Sequence, residues 1–382
     1  MNHPPSSCSS SRISLVLLLV ITVLTRSSVV LATSDRYYAN SAEYYAENGG
    51  DHELLMMERF HAWMAAHGRS YPTAEEKLRR FQIYRDNVKF IEAINRDTTK
   101  TFTCGENQFT DLTHQEFLAR YTMASHDSVP LDLSSSVITT RAGDITESDS
   151  GTTMQVEDTD LPEHVDWREQ DAVTPVQNQL QGCHACWVFA SVATIESANK
   201  IKNGDLLKLS EQQIVDCTAE KCGGGTLQEA FKYVQKNGGI ATEEEYGAYT
   251  AKAGSCHAGN VRKAVRIQTY DFLPRENETA LAEKVVQQPV AVLFDPDDPA
   301  FTYYKAGIYS GGRPRAPYKL KHAMAIVGYG KNESTGQKYW IAKNSWGTGW
   351  GDDGYVYIAK DMPDKPQGVQ GLVAKYPWYP IV

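Results

Sequence analysis

Five cysteines crowd into the 74 residues from Cys183 to Cys256, and no other feature limits the fold as firmly. They are Cys183, Cys186, Cys217, Cys222 and Cys256; Cys104 stands alone upstream, and Cys8 lies near the start of the chain. Five is odd. In an oxidising compartment two disulfides would use four of them and leave one thiol free. The stretch "QLQGCHACWVF", residues 179–189, poses the question sharply. Its Cys-x-x-Cys pair could be a redox dithiol, half of a metal site, or a disulfide partner beside a single reactive thiol. No short βαβ pattern surrounds it, which disfavours a thioredoxin-like dithiol, and other cysteines are available to pair with Cys183. A zinc site needs further ligands, which Cys217 and Cys222 could supply, but a secretory context favours disulfides.

That context comes from the start of the chain. Arg12 precedes the apolar run "ISLVLLLVITVL", 12 residues long, and small residues end at Ala32. The run is too short to span a bilayer and suits a signal-peptide core. No later stretch is long and apolar enough to span. Residues 1–32 therefore read as a signal peptide, and no membrane association is expected after its removal. The formal net charge of -9 and the lack of a basic stripe argue against nucleic acid as a partner.

Three blocks follow. Residues 33–122 read as a helical block, charged and with two capping signatures. Thr73 with Glu76 precedes "KLRRFQIYRDNVKFIEAIN", and Thr113 with Glu116 precedes "FLARY". Residues 123–160 are rich in Ser, Thr and Asp and hold no aromatic residue, so they read as a linker open to proteolysis. Residues 161–382 carry every tryptophan except Trp63. Within that block a helix is expected over 186–203, ended by Gly204, and a shorter one is opened by Ser210 and Gln213. Beyond residue 260 come β-rich runs, "PVAVLF", "HAMAIVGYG", "KYWIAKNSW" and "GYVYIAK". A helical half followed by a sheet half predicts an α+β body of two lobes.

Cys186 would open the first of those helices. Helix N-termini carry unsatisfied N–H groups and partial positive charge, which favour a thiolate over a thiol. A thiolate nucleophile needs an imidazole partner, and the imidazole needs an orienting group. His322 and Asn344, at the edges of two β-runs, are the candidates.

At this point the third block resembles the papain-like cysteine proteases. The stretches that carry the likeness are "LPEHVDWRE", "VTPVQNQ", "GCHACWVFASVA", "LSEQQIVDC", "HAMAIVGYG" and "KNSWGTGWGDDGYV", spread in the family's order across 161–360. The upstream block resembles the family's inhibitory propeptide. Glu76, Arg80, Tyr84, Asn87, Ile91 and Asn95 drift along one helix face and match its Glu-Arg-Phe-Asn-Ile-Asn pattern, with Tyr for Phe. Gly105, Asn107, Phe109 and Asp111 match its Gly-x-Asn-x-Phe-x-Asp motif.

The resemblance implies a papain-like two-lobed α+β fold, with a helical lobe, a β-barrel-like lobe and a helical inhibitory propeptide. It implies a cysteine endopeptidase made as a self-inhibited zymogen and working through a thioester on Cys186. His322 would be the imidazole partner, Asn344 its orienting group, Trp346 the shield of that hydrogen bond, and Gln179 the oxyanion donor. Gly224 and Gly225 would present backbone to an extended substrate. Leu227, Leu293 and Ala323 would line the main specificity pocket, with Lys375 at its base. Cys183 would pair with Cys222 and Cys217 with Cys256, leaving Cys186 free, which agrees with the parity of the cysteines. No cofactor and no metal are implied. The partners implied are peptide or protein substrates, the chain's own propeptide and cystatin-like inhibitors, and the protein would act as a monomer. Acid would loosen the propeptide as carboxylates such as Asp111 protonate. Vacuole, lysosome or cell exterior would be its location. Asn277 and Asn332 are glycosylation acceptors by pattern.

The chain departs from the family's pattern at several points. Seven positions separate Gln179 from Cys186 where six are usual, so Leu180 or Gln181 is extra. His184 and Ala185 replace Gly-Ser, and a histidine there would be strained if the position demands a positive φ. Lys321 replaces an acidic or amide residue before His322 and is expected to disfavour the imidazolium. The third disulfide, expected near Arg313 and Gln370, is missing, and Gly223 stands in place of Asn in "CGGG". These changes motivate a second reading, a papain-fold protein with impaired catalysis that acts by binding peptides or proteins.

Overall fold

The computed structural model describes residues 50–123, 161–312 and 317–382. The expected signal peptide, nearly all of the linker, and Arg313 lie outside the described residues. The chain divides into two compact units, one ending at Arg85 and the other running from Asp86 to Val382.

The described part of the first unit holds helix α1 (Gly50–Ala66) and the opening turns of α2 (Ala74–Arg96). Its core is aromatic: the ring centroid of Phe60 lies 6.0 Å from that of Trp63, 5.5 Å from Phe81 and 5.1 Å from Tyr84. Buried aromatic clusters of this kind can hold short helices that would be marginal alone. Arg85 reaches back to Glu53 at 3.1 Å. The Thr73 signature forms only half of a capping box. The Glu76 N–H donates to Thr73 Oγ1, but the Glu76 carboxylate turns to Arg79 and Arg80 instead.

In the second unit, the last turns of α2 lead to strand β1 (Phe102–Cys104) and helix α3 (His114–Tyr121). Asn87 Nδ2 donates to the carbonyls of Thr110 and Leu112, and Asn95 both donates to and accepts from the backbone of Cys104. At Thr113 both hydrogen bonds of the capping box are present.

The helical lobe is built on α4 (Cys186–Asn203), buried at 14 positions from Cys186 to Asn199. A helix apolar on nearly all sides belongs inside a protein. Gly204 ends it at φ 87°, which glycine adopts without strain. Around it pack α5 (Glu211–Cys217), capped by Ser210, and α6 (Leu227–Lys236), and the short α7 (Glu243–Tyr246) lies against α5. Disulfides join Cys183 to Cys222 and Cys217 to Cys256, with Cα separations of 4.3 and 4.8 Å. Cys104 and Cys186 are the free thiols among the described residues, and both are buried.

The sheet lobe adds β2 (Val165–Asp166), β3 (Thr269–Phe272), helix α8 (Glu278–Val285), β4 (Val290–Phe294), helix α9 (Pro299–Thr302) and β5 (Tyr304–Tyr309). It continues with β6 (His322–Lys331), β7 (Lys338–Lys343), β8 (Tyr355–Ala359) and β9 (Trp378–Ile381). The strands run in the order β1-β5-β8-β7-β6-β4-β9-β3, with β2 on β6. β6 is central and buried at nine of ten positions, as its unbroken apolar sequence requires. The prosegment joins this sheet through β1, which pairs antiparallel with β5. One apolar cluster lies inside the sheet lobe; a second joins α4, α5 and α6 to Ala291, Ala323 and Trp378 of the sheet.

Candidate active site

Three elements deliver the predicted side chains to one place. Cys186 is the first residue of α4, His322 the first of β6, and Asn344 follows the last residue of β7. The His322 Nε2–H donates to Asn344 Oδ1 at 2.8 Å, and the Ser345 N–H donates to the same oxygen at 2.7 Å. The second bond identifies the accepting atom as oxygen, so Nε2 carries the proton and Nδ1 is the free nitrogen of the neutral ring. His322 Nδ1 is buried and has no hydrogen-bond partner. Trp346 covers the pair, its ring 4.4 Å from the imidazole at an interplanar angle of 27°.

Gln179 is fully buried and pinned along its length. Its backbone N–H donates to the Ser345 carbonyl at 2.8 Å, and its own carbonyl accepts from the Tyr249 hydroxyl at 2.9 Å. Ser345 Oγ donates to Gln179 Oε1 at 2.7 Å, which turns the amide NH₂ toward the cleft. The extra residue in this loop is absorbed on its outer side. Leu180 takes φ 57°, is 45 % exposed, and gives its N–H to Asn178 Oδ1; Gly182 follows at φ 88°. The strain expected at His184 is thus found at Leu180, because His184 does not adopt a positive φ and Leu180 makes the turn.

The cleft is filled by the prosegment. Gln179 Nε2 donates to the carbonyl of Tyr121 at 3.1 Å, and the Met123 N–H donates to the Lys321 carbonyl at 2.7 Å. Phe109 and Phe117 stand edge-on to Trp346, with centroids at 5.7 and 5.2 Å. Gln108 Nε2 donates to the Trp346 carbonyl at 2.7 Å, and Asn107 Nδ2 to that of Thr302 at 2.8 Å. His114 meets Asp297 at 2.9 Å. The residues of the second propeptide motif are thereby tied to the sheet lobe.

This plug reverses the electrostatics expected of the thiol. Burial pushes Cys186 up to about 12, and the backbone N–H groups of Ala323, Trp187 and Cys186 only partly oppose it. Burial brings His322 down to about 4, against the favourable bond to Asn344. A helix N-terminus favours a thiolate, but removal of water disfavours the ion more, so thiol and imidazole are both neutral under the prosegment. The shift on His322 comes from burial and the bond to Asn344, not from Lys321; that ammonium only partly opposes the rise that burial gives the Asp295 carboxyl.

The remaining predicted residues fall around the plug. Leu227 and Ala323 are buried in the apolar cluster that also contains Met123, and Leu293 packs against it. Tyr376 also packs there, whereas Lys375 beside it is half-buried. Gly224 has φ 91°, and a Cβ on it would lie 3.3 Å from Met123 Cβ; on Gly225 it would press into the Trp187 ring at 2.8 Å. Gln370, where a disulfide is missing, is held by hydrogen bonds with Asp295 instead. Asn277 and Asn332 are exposed.

Residues 161–375 match the papain family cysteine proteases. The chain belongs to this family. Residues 60–117 match the cathepsin propeptide inhibitor domain I29. Fruit bromelain of Ananas comosus is 40% identical over 331 residues, covering 86% of this chain and 87% of bromelain. The senescence-specific cysteine protease SAG12 of Arabidopsis thaliana is 39% identical over 329 residues, 85% of this chain and 90% of its own. Among solved structures, a recombinant stem bromelain precursor superimposes with TM-score 0.74 at 39% identity, covering 86% of this chain and 99% of that one. The proform of the ragweed pollen allergen Amb a 11 gives 0.70 at 32%, covering 86% and 94%. The protease is therefore a papain-like cysteine endopeptidase carrying an inhibitory propeptide. These relatives are named as proteases, and the reading as an impaired binding protein finds no support in them.

Sequence reasoning missed Tyr249 and Ser345. Ser345 stands inside "KNSWG", so the motif held a signal for it. Tyr249 reaches Gln179 across 70 positions with no local pattern to announce it.

Proposed function

We propose that Cys186 is the nucleophile of this endopeptidase. Once the prosegment leaves, water re-enters and the helix N-terminus and His322 can hold a thiolate–imidazolium pair. Sγ attacks the scissile carbonyl, and its oxygen becomes an oxyanion that takes hydrogen bonds from Gln179 Nε2 and the Cys186 N–H. Preorganised donors of this kind are worth about 3 kcal/mol each. His322 gives its Nδ1 proton to the departing amine; the thioester is then hydrolysed by a water from which the same nitrogen takes a proton. The observation that carries this reading is the bond from Gln179 Nε2 to the Tyr121 carbonyl, a peptide carbonyl already seated on the donor.

Residues 1–32 act as a signal peptide, 33–122 as the inhibitory prodomain, 123–160 as the linker in which activation cleavage falls, and 161–382 as the mature peptidase. The enzyme works in the vacuole or outside the cell. It acts as a monomer, and cystatin-like inhibitors would enter the cleft that the prosegment vacates. Asn277 and Asn332 carry glycans, consistent with their exposure. The test is active-site titration of acid-activated protein with an epoxide peptide inhibitor, alongside fluorogenic peptide hydrolysis. Stoichiometric labelling with turnover, both lost in Cys186→Ala, is expected. Labelling without turnover would remove Gln179 from its role, and no labelling of folded, processed protein would remove Cys186.

A further inference from the structure

A histidine stands two residues before the nucleophile, and no described residue of the prosegment satisfies it. His184 is half-buried, and its backbone N–H is used by the Cys222 carbonyl at 3.2 Å. Its Nδ1 is shut from water and has no hydrogen-bond partner. An orphaned buried nitrogen is costly, and in a cleft it invites a ligand that would complete it. Met123 borders the same glycine, Gly224. A Cβ built on Gly224 would lie 3.3 Å from Met123 Cβ, 3.5 Å from Met123 Cγ and 3.7 Å from His184 Cβ. Met123 and His184 thus both border the space over Gly224, and the described prosegment side chain there is a thioether, a poor acceptor.

We propose that His184 is a specificity-determining residue that selects a carboxamide or carboxylate side chain on the substrate residue carrying the scissile carbonyl. The apolar pocket of Leu227, Leu293 and Ala323 takes the residue before it. His184 is separated from Cys186 by a single residue, so the substrate side chain it meets is the one nearest the reacting carbon. A glutamine can satisfy Nδ1 in either tautomer, by donating or accepting; a glutamate satisfies it when Nδ1 carries a proton. Met123 gives neither bond, so the described prosegment residues occupy the cleft while leaving this recognition group unspent. The inference rests on the reading of Cys186 as the nucleophile.

The experiment is a kcat/KM comparison at one pH on peptides that differ only at that residue, as Gln, Glu or norleucine. An apolar residue is kept before it. Activated wild-type enzyme is expected to favour Gln and Glu over norleucine about tenfold, the scale of one good hydrogen bond. His184→Gly should abolish that ratio or invert it, and His184→Gln, which puts a carboxamide donor and acceptor in place of the imidazole, should retain the preference for Gln. Because each ratio is taken within one enzyme, a partly folded variant does not disturb it. Equal ratios in wild type and His184→Gly would overturn the proposal, as would a change confined to the preceding residue. Hydrolysis of the norleucine peptide by wild type and its loss in Cys186→Ala report on the nucleophile separately.

Discussion

Protonation of His322 should weaken the closed zymogen, and the size of the effect follows from its burial. Its value falls from 6.5 to about 4 because burial disfavours the imidazolium. A base held below its unfolded value stabilises the fold fully above the unfolded value, and that stability is lost as pH falls from 6.5 toward 4. At about 1.4 kcal/mol per unit the whole loss is about 3 kcal/mol, with a slope approaching one bound proton between those limits. The perturbation is His322→Gln in a Cys186→Ala background, which prevents self-cleavage. The assay is denaturant unfolding of both proteins from pH 7 to pH 4. Other titrating groups are common to both, including Glu211, whose carboxyl burial raises, so they cancel in the difference. The parent should lose about 3 kcal/mol more than the His322→Gln protein across the range. Coincident slopes would refute the idea that the neutral imidazole is part of what acid releases, and would return the acid response to the carboxylates.

Three further outcomes are expected. Tyr249→Phe removes the hydroxyl on the Gln179 carbonyl; kcat should drop about tenfold, with KM and the reactivity of Cys186 toward a small disulfide probe unchanged. Gly225→Ala would set a methyl 2.8 Å from the Trp187 ring, and a loss of about 2 kcal/mol in chemical denaturation is expected from the overpacking. Replacing both Cys217 and Cys256 by alanine opens a loop spanning 39 positions; the chain-entropy relation gives a loss of about 4 kcal/mol, read as a lower denaturation midpoint.

How much of this could be read from the chain depends on whether the cause is local. Helix α4 announces itself by apolar periodicity and a terminal glycine, and β4, β6, β7 and β8 by short β-branched runs, so those elements stand where the pattern places them. Cys186, His322 and Asn344 were legible through their motifs, and cysteine parity pointed to one free thiol. The electrostatics were not. Their sign depends on burial in the closed zymogen, where the covering segment lies far along the chain from the groups beneath it. The Leu180 turn also escaped, because spacing reveals that a residue is extra without saying which one takes the left-handed backbone. The Thr73 box failed because two arginines one turn ahead compete for Glu76, and ion pairing wins over a backbone N–H.

Strand β1 has a consequence for the mature enzyme. While the prosegment is in place, its backbone covers β5, with Phe102 opposite Gly307 and Thr103 opposite Ala306. Once it departs, β5 becomes a bare border whose N–H and C=O groups face solvent, an open template for any extended chain. Lys305, exposed on that strand, and Gly307, at φ 86°, put a charge and a break in regular pleating where the border would otherwise recruit another copy. The propeptide therefore pairs this border as well as filling the cleft, and its departure leaves the backbone groups of β5 to water.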